Sequence, residues 1–298
     1  MADTSNPTGR VIDVLNFLAA HPTEAFSLAE IARHLDLSNG SAHRILTTLA
    51  AARFLTRNEK RRTYSLGMAL VAIGQAALEK HRGIERARSE LARLAVDLNV
   101  QCSANAVVDD EIVVLVKEGT AQSHRGLTRV GERRPLVPPL GLCHVAWGGE
   151  TAIAAYVESV SPHIGEAVRS HLLASFPLIR RRGYSIAAHG PGASHSRDIM
   201  ADPDIENRFQ TYRQSIGEMV GLLTPNEVQL FELDHAGGEV ISHITAPVFS
   251  PTGAVSLQLV ISGMPSNLAR AEIVRYAEKL CATAALITSE THGRRPQG

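Results

Sequence analysis

Thirteen histidines and three cysteines are the side chains of this 298-residue sequence best able to hold a metal or act as nucleophiles. Their spacing works against both. Cys143 and His144 are adjacent, so on a helix their side chains diverge and cannot readily share an ion. His189 and His195 are too far apart to form a helical pair and sit in a Gly/Ser-rich stretch. No HExxH, CxxC or GxxxxGK[ST] pattern occurs. Cys143 could attack a carbonyl only with a base and an oxyanion device, and no elbow motif supplies one. The sequence therefore predicts no catalytic residue, no metal site and no cofactor.

A different chemistry is available to Ser38, Asn39, Gly40, Ser41, His43, Arg44, Thr47 and Thr48. These are short or hydrogen-bonding residues of the kind that read base edges or hold phosphates. Lys60, Arg61 and Arg62 form a second group, suited to backbone phosphates. Such residues act only if a rigid frame aims them at a groove.

Leu28–Leu49 can supply that frame. Leu28, Ile31, Ala32 and Leu35, and then Ala42, Ile45, Leu46 and Leu49, recur every three or four residues. That spacing predicts two amphipathic helices, joined by a corner at Leu35-Asp36-Leu37-Ser38. Asp36 tolerates the left-handed backbone such a corner needs. Ser38 caps the second helix, and Ser27 with Glu30 makes a capping box for the first. This is the layout of a DNA-binding helix-turn-helix, although an ordinary helical hairpin shares the pattern. Phe54–Arg57 and Thr63–Gly67 read as two strands joined by the basic tip Asn58–Arg62. That is a wing beside the recognition helix, or else a solvated surface hairpin.

Composition fits a globular chain, with 44% hydrophobic and 20% charged residues and mean hydropathy near zero. No run approaches the ~20 apolar residues of a membrane span, and the polar start MADTSNPTGR lacks a signal core. Three widely spaced cysteines suit a reducing compartment. The expectation is a cytoplasmic protein with no membrane partner. Formal net charge is zero, but residues 1–82 hold ten Lys/Arg against seven Asp/Glu, a net of +3. A local basic face is enough for phosphate contacts.

The run Arg10–Gly74 resembles the winged helix-turn-helix of the IclR family of bacterial transcriptional regulators. The residues that carry the likeness are Leu28-Ala29-Glu30-Ile31-Ala32, Leu37-Ser38, Ala42-His43-Arg44-Ile45-Leu46 and Tyr64-Ser65-Leu66-Gly67. Later stretches are similar to that family's effector domain: Arg129-Val130-Gly131, Pro135-Leu136, Leu140-Gly141, Arg182-Gly183-Tyr184, Ala246-Pro247-Val248-Phe249 and Ile261-Ser262-Gly263. The expected fold is α+β: an N-terminal winged helix-turn-helix, a linker helix, and a C-terminal α/β effector domain that the resemblance implies is GAF-like. The expected boundaries are a disordered tail at 1–9, the DNA-binding domain at 10–67, the linker and dimerisation helix at 68–82, the effector domain at 83–292 and a tail at 293–298.

Beyond the linker, the pattern predicts a helix over Ile84–Leu98 and strands over Cys102–Val108 and Ile112–Val116. A short helix over Leu140–Trp147 and helices over Thr151–Glu158 and His163–Arg182 follow, with Pro177 breaking or kinking the last. Strands are expected at Tyr184–Ala188, Val228–Asp234, Glu239–Phe249 and Ala254–Ser262. A helix around Ile205–Val220 and a closing helix over Asn267–Ser289 complete the reading.

The resemblance further implies a homodimer or homotetramer on double-stranded operator DNA and a small-molecule effector. It places the effector cup around Leu136, Leu140, Leu142, Trp147 and Val260, with Cys143, His243 and Ser262 as polar options. Positions where some members carry an acidic and a small polar residue hold Ala187 and His243 here. The expected effector is a partly aromatic or aliphatic carboxylate, with His243 or a backbone N–H taking the anion. The rival reading is a small-molecule-binding or hydrolytic enzyme with a vestigial helical domain. Repressor or activator status stays open.

Overall fold

The structure, a computed structural model, describes residues 7–120, 129–160, 163–189, 221–233, 240–266 and 268–296. It divides in sequence between His81 and Arg82 into two compact units.

In the N-terminal unit, α1 (Pro7–Ala20) starts three residues before the expected helix, so residues 7–9, expected in a disordered tail, are helical. Proline is favoured in a first helical turn, where its missing N–H would be unpaired anyway. In α2 (Leu28–His34), Ser27 and Glu30 form the reciprocal capping box, and those hydrogen bonds hold the Glu30 carboxyl below its usual range. Asp36 turns the corner at φ 49°. In α3 (Asn39–Ala51), the Ser41 N–H donates to the Ser38 hydroxyl at 3.2 Å. Ile31, Leu46 and Leu49 meet Val14, Phe17 and Leu18 of α1 in one apolar core.

The wing strands β2 (Leu55–Asn58) and β3 (Thr63–Leu66) pair antiparallel. A strand missed in the sequence, β1 (Phe26–Ser27), adds to β3. Two residues are too few to show alternation, so only the pairing reveals it. Gly67 ends the wing because a Cβ there would lie 2.3 Å from the Arg53 carbonyl oxygen. Then α4 (Met68–Lys80) begins.

The C-terminal unit opens with α5 (Arg82–Leu98), followed by β4 (Gln101–Val108), β5 (Glu111–Glu118) and the short β6 (Arg133–Pro135). Next come α6 (Leu142–Val145), α7 (Gly149–Glu158), α8 (Glu166–Arg182), β7 (Ser185–His189) and α9 (Pro225–Val228). The chain then runs through β8 (Val240–Phe249), β9 (Val255–Ser262) and α10 (Arg270–Glu290). The strands form one antiparallel sheet in the order β6-β5-β4-β9-β8-β7. Its first face packs under α5 and α10 through Cys102, Ala104, Ile244, Ala246, Leu259 and Ile261. Beyond the other face, α6 to α9 share a second apolar cluster around Leu172, Phe176 and Ile179.

Three sequence expectations are corrected. The strand expected over Val228–Asp234 is absent among the described residues. Instead α9 opens on a Thr224–Glu227 capping box, and the chain then runs beside β7. There the Leu230 N–H donates to Ile186 O, and the Ile186 N–H donates to the Gln229 side-chain oxygen. A side chain thus takes the place of part of a ladder. Pro177 does not break α8, which runs through it; one backbone bond is lost beside the exposed Leu173. The stretch read as a C-terminal tail is packed over 293–296: Arg294 N–H donates to Ser250 O and Arg295 donates to Arg180 O. β6, with the sequence Arg-Arg-Pro, carries no strand pattern and was missed. The helix expected around Ile205–Val220 lies outside the described residues.

Candidate nucleic-acid interface and ligand-binding face

The cap and corner that fix α3 also decide which of its side chains stay outside. Ala42, Leu46 and Leu49 are buried, which leaves Asn39, Gly40, His43, Arg44, Thr47 and Thr48 exposed along one side. Ser38 and Ser41 are engaged with each other: the Ser38 hydroxyl accepts from the Ser41 N–H and donates to the Ser41 hydroxyl. Their hydrogen-bonding capacity is therefore partly spent on starting the helix, and Asn39 is the first residue free to project.

At the wing tip, Lys60, Arg61 and Arg62 are all exposed. The turn is built by Asn58, whose side-chain oxygen accepts from the N–H groups of Lys60 and Arg61 at 3.1 Å. Arg62 adopts φ 53°. Arg57 behaves differently: it pairs with Glu59 and lies 6.0 Å from the Tyr64 ring centre. Asn58 is a positioning residue that the sequence reading passed over, although Asn two residues before a charged pair is a turn signal.

In the C-terminal unit the strand registers assign each side chain of the sheet to a face. On the face opposite α5 and α10, Lys117, Ser103, Val260, Thr245 and Ser185 lie in one cross-strand row. Gln101, Ser262, His243 and Ala187 lie in the next, and Val114, Asn105, Gln258 and Pro247 in a third. Gln101, Ser103, Ser185, Thr245 and Gln258 are all buried. Gln258 is tied to α6, accepting from the His144 N–H at 3.2 Å, and the Gln101 amide reaches the Ser262 hydroxyl at 3.4 Å. The Asn105 side-chain oxygen is buried without a hydrogen-bond partner.

The expected effector residues divide between this face and its cover. His243, Val260 and Ser262 lie on the face itself. Leu142 belongs to the second apolar cluster, against which Leu136 and Trp147 pack. Leu136 reaches α6 across Gly141, where φ is 82° and a Cβ would lie 2.2 Å from the Leu136 side chain. Leu140 is half-buried and its carbonyl accepts from the Tyr156 hydroxyl. Trp147 sits edge-on to Phe249 and 6.0 Å from the Arg295 guanidinium. The polar groups of β4, with Lys117 and Thr245, were missed; each alternates with an apolar neighbour, and that alternation was the available signal.

Electrostatics separates the polar candidates. Burial pushes the Cys143 thiol well up, and neighbouring Cys281 adds to this against a hydrogen bond with the Ser185 backbone. Cys102 is pushed up to about 12 by burial and Cys281 to about 11. A thiolate is thus disfavoured at each cysteine. His243 is pushed down to about 4 by burial, then by His189 and Arg134. It is neutral at ordinary pH and is not the cation expected to take an anion. Arg134 is ion-paired with buried Glu132.

Comparison with known proteins agrees with this architecture. The family model described as the IclR helix-turn-helix domain matches residues 8–59. The regulator BhcR of Paracoccus denitrificans is 27% identical over 127 residues, spanning 43% of this chain and 45% of its own length. The match thus covers about half of that relative. XynR of Escherichia coli, also an HTH-type transcriptional regulator, is 23% identical over 91% of both chains. An IclR homolog from Microbacterium hydrocarbonoxydans, solved in complex with 4-hydroxybenzoate, shares the fold with a TM-score of 0.66 and 18% identity. That likeness covers 96% of this chain and 99% of the other. Residues 8–59 are thus similar in sequence to the IclR helix-turn-helix domain, HTH-type transcriptional regulators are similar over longer stretches, and the fold is shared with a solved IclR homolog almost from end to end.

Proposed function

We propose that the protein controls transcription in the cytoplasm by binding a palindromic operator as a homo-oligomer, and that a small organic acid in the C-terminal unit shifts its DNA-competent population. The observation that carries the DNA reading is the exposed side of α3, beside a wing tip with three adjacent exposed cations. A capped helix packed on an apolar core holds the first group and the Asn58 turn of the β2–β3 hairpin holds the second, as groove recognition requires. No helix among the described residues is long and apolar enough to cross a membrane. The 4-hydroxybenzoate complex of a fold relative supports an organic acid as effector.

DNase footprinting on the region upstream of the protein's own gene tests the function directly. A protected palindrome is expected, and no protection at any concentration would reject the reading. Within that site Arg44→Ala should weaken binding by about 1–3 kcal/mol if Arg44 reads a base edge. An unchanged gel-shift midpoint would remove Arg44 from the interface.

Oligomerisation is supported by α4, which buries none of its residues although Met68 is 76%, Val71 61% and Ile73 52% exposed. Exposed apolar side chains spread around a helix are costly in water and suit a second copy of the chain. A two-fold dimer would also set two recognition helices on one palindrome. Sedimentation equilibrium should give a dimer or tetramer, reduced toward monomer in Val71→Glu/Ile73→Glu. A wild-type monomer at micromolar concentration would sink this part.

A further inference from the structure

The two faces of the C-terminal sheet have opposite chemistry. Towards α5 and α10, β4, β7, β8 and β9 present apolar side chains, among them Cys102, Ala104, Ile186, Ile244, Leu259 and Ile261. The same four strands, turned over, present Gln101, Ser103, Asn105, Ser185, His243, Thr245, Gln258 and Ser262 among Ala187, Pro247 and Val260. A sheet covered on both faces ordinarily has apolar residues on both. Burying polar groups is costly unless they are bonded, and most native ones are.

Here the bonds are few. Gln258 is held by α6, and Gln101 reaches Ser262 only at 3.4 Å. Asn105 Oδ1 has no partner, and His243 bonds its neighbour Ser242. Ser103 and Thr245 are 5% and 6% exposed and stand in one row on either side of Val260. Lys117 extends that row as the cross-strand neighbour of Ser103 and makes no ion pair among the described residues. Arg134, by contrast, is already neutralised by Glu132.

We propose that the ligand of this face is a polyhydroxylated monocarboxylic acid. Lys117 takes its carboxylate, while Ser103, Asn105, Thr245 and Ser262 bond its hydroxyls. This inference rests on the proposed effector function and replaces its broad class with a narrow one. A flat aromatic or plain aliphatic acid would leave those polar groups dry and unpaired, which is the situation that sites with buried hydrogen-bonding groups reject most strongly. His243 serves as a neutral hydrogen-bonding group.

Isothermal titration of the full-length protein with gluconate, its uncharged analogue glucitol, hexanoate and benzoate tests this. Gluconate should bind at least tenfold more tightly than each of the others. Ser103→Ala/Thr245→Val should lower gluconate affinity about tenfold or more, and Lys117→Met should erase its advantage over glucitol. Equal or tighter binding of hexanoate or benzoate would overturn the class while leaving a ligand-responsive regulator intact. Equal binding of glucitol would remove the carboxylate, and binding of none of the four would overturn the proposal. Only the footprint decides the DNA reading, so the two failures are distinguishable. Should the double variant melt early without ligand, the four-ligand series on the wild type still decides.

Discussion

Replacing Lys60, Arg61 and Arg62 together with alanine should cut operator affinity by roughly two to three orders of magnitude at 0.1 M salt. The reasoning starts from counterions. Each phosphate neutralised by a protein cation releases condensed ions and adds about 0.9 to the slope of log K against log salt. All three side chains are exposed at the tip of β2–β3, and the tip is held by Asn58 instead of by the charges themselves. Alanines there should therefore leave the hairpin folded. Three lost contacts would flatten the slope by about 2.7, the largest effect expected of any substitution in the N-terminal unit. Gel-shift titrations from 50 to 250 mM salt measure the slope. An identical slope with reduced affinity would mean that the wing shapes the unit without touching DNA. Arg57 is the internal control, because its pairing with Glu59 and its place over Tyr64 predict a smaller change in slope.

How much of this was legible in the sequence depended on how local the signal is. The helix-turn-helix is written in residues within one or two turns of each other: Ser27 with Glu30, Ser38 with Ser41, Asp36 at the corner. Capping and periodicity are short-range physics, so the element bounds came within a residue or two. The same holds for the β4–β5 and β8–β9 hairpins. What failed was non-local. β1 and β6 exist only because β3 and β5 offer them a ladder. The segment after Val228 has a strand-like apolar run, yet its neighbour β7 is bonded partly by the Gln229 side chain. Composition cannot distinguish a ladder from its mimic.

The effector face shows the same limit more sharply. Resemblance pointed to the stretch Leu136–Trp147, whose leucines gave the cup an apolar cast. Register changes that reading, because it identifies which residues of β4, β8 and β9 share a surface. Ser103 and Thr245 are 142 positions apart in the sequence and stand on either side of Val260. Alternation along each strand carried the signal of a polar face, but it was not read. Which strands would be adjacent, and hence what that face could bind, required the β4–β9 pairing.

His243 carries the second large prediction. Its folded pKa of about 4 lies below the ordinary value of 6.5, because burial disfavours the imidazolium and His189 and Arg134 oppose it further. The groups that bear on it come from β7, from β6 and from its own strand, where Ser242 hydrogen-bonds Nδ1 at 3.1 Å. Above pH 6.5 the residue is neutral in both folded and unfolded chains and contributes no pH dependence. Below it, the unfolded chain takes up a proton that the folded chain refuses until about pH 4. Stability must therefore fall as pH falls through that window, by about 1.4 kcal/mol per unit, or about 3 kcal/mol in all. Urea unfolding of the full-length protein at pH 7.5, 6.0 and 5.0 should show the wild type losing about 2 kcal/mol more than His243→Gln by pH 5. The substitution keeps a neutral polar side chain of similar size, so the difference between the two curves isolates the proton. Parallel curves would mean that His243 is protonated in the folded protein, and so available as a cation to an acidic ligand. Lys117 would then no longer be the sole choice for the carboxylate, and gluconate affinity would rise with acidity as the histidine charged. A wild-type curve that steepens alone, with gluconate affinity insensitive to pH between 6 and 8, is what a neutral His243 requires.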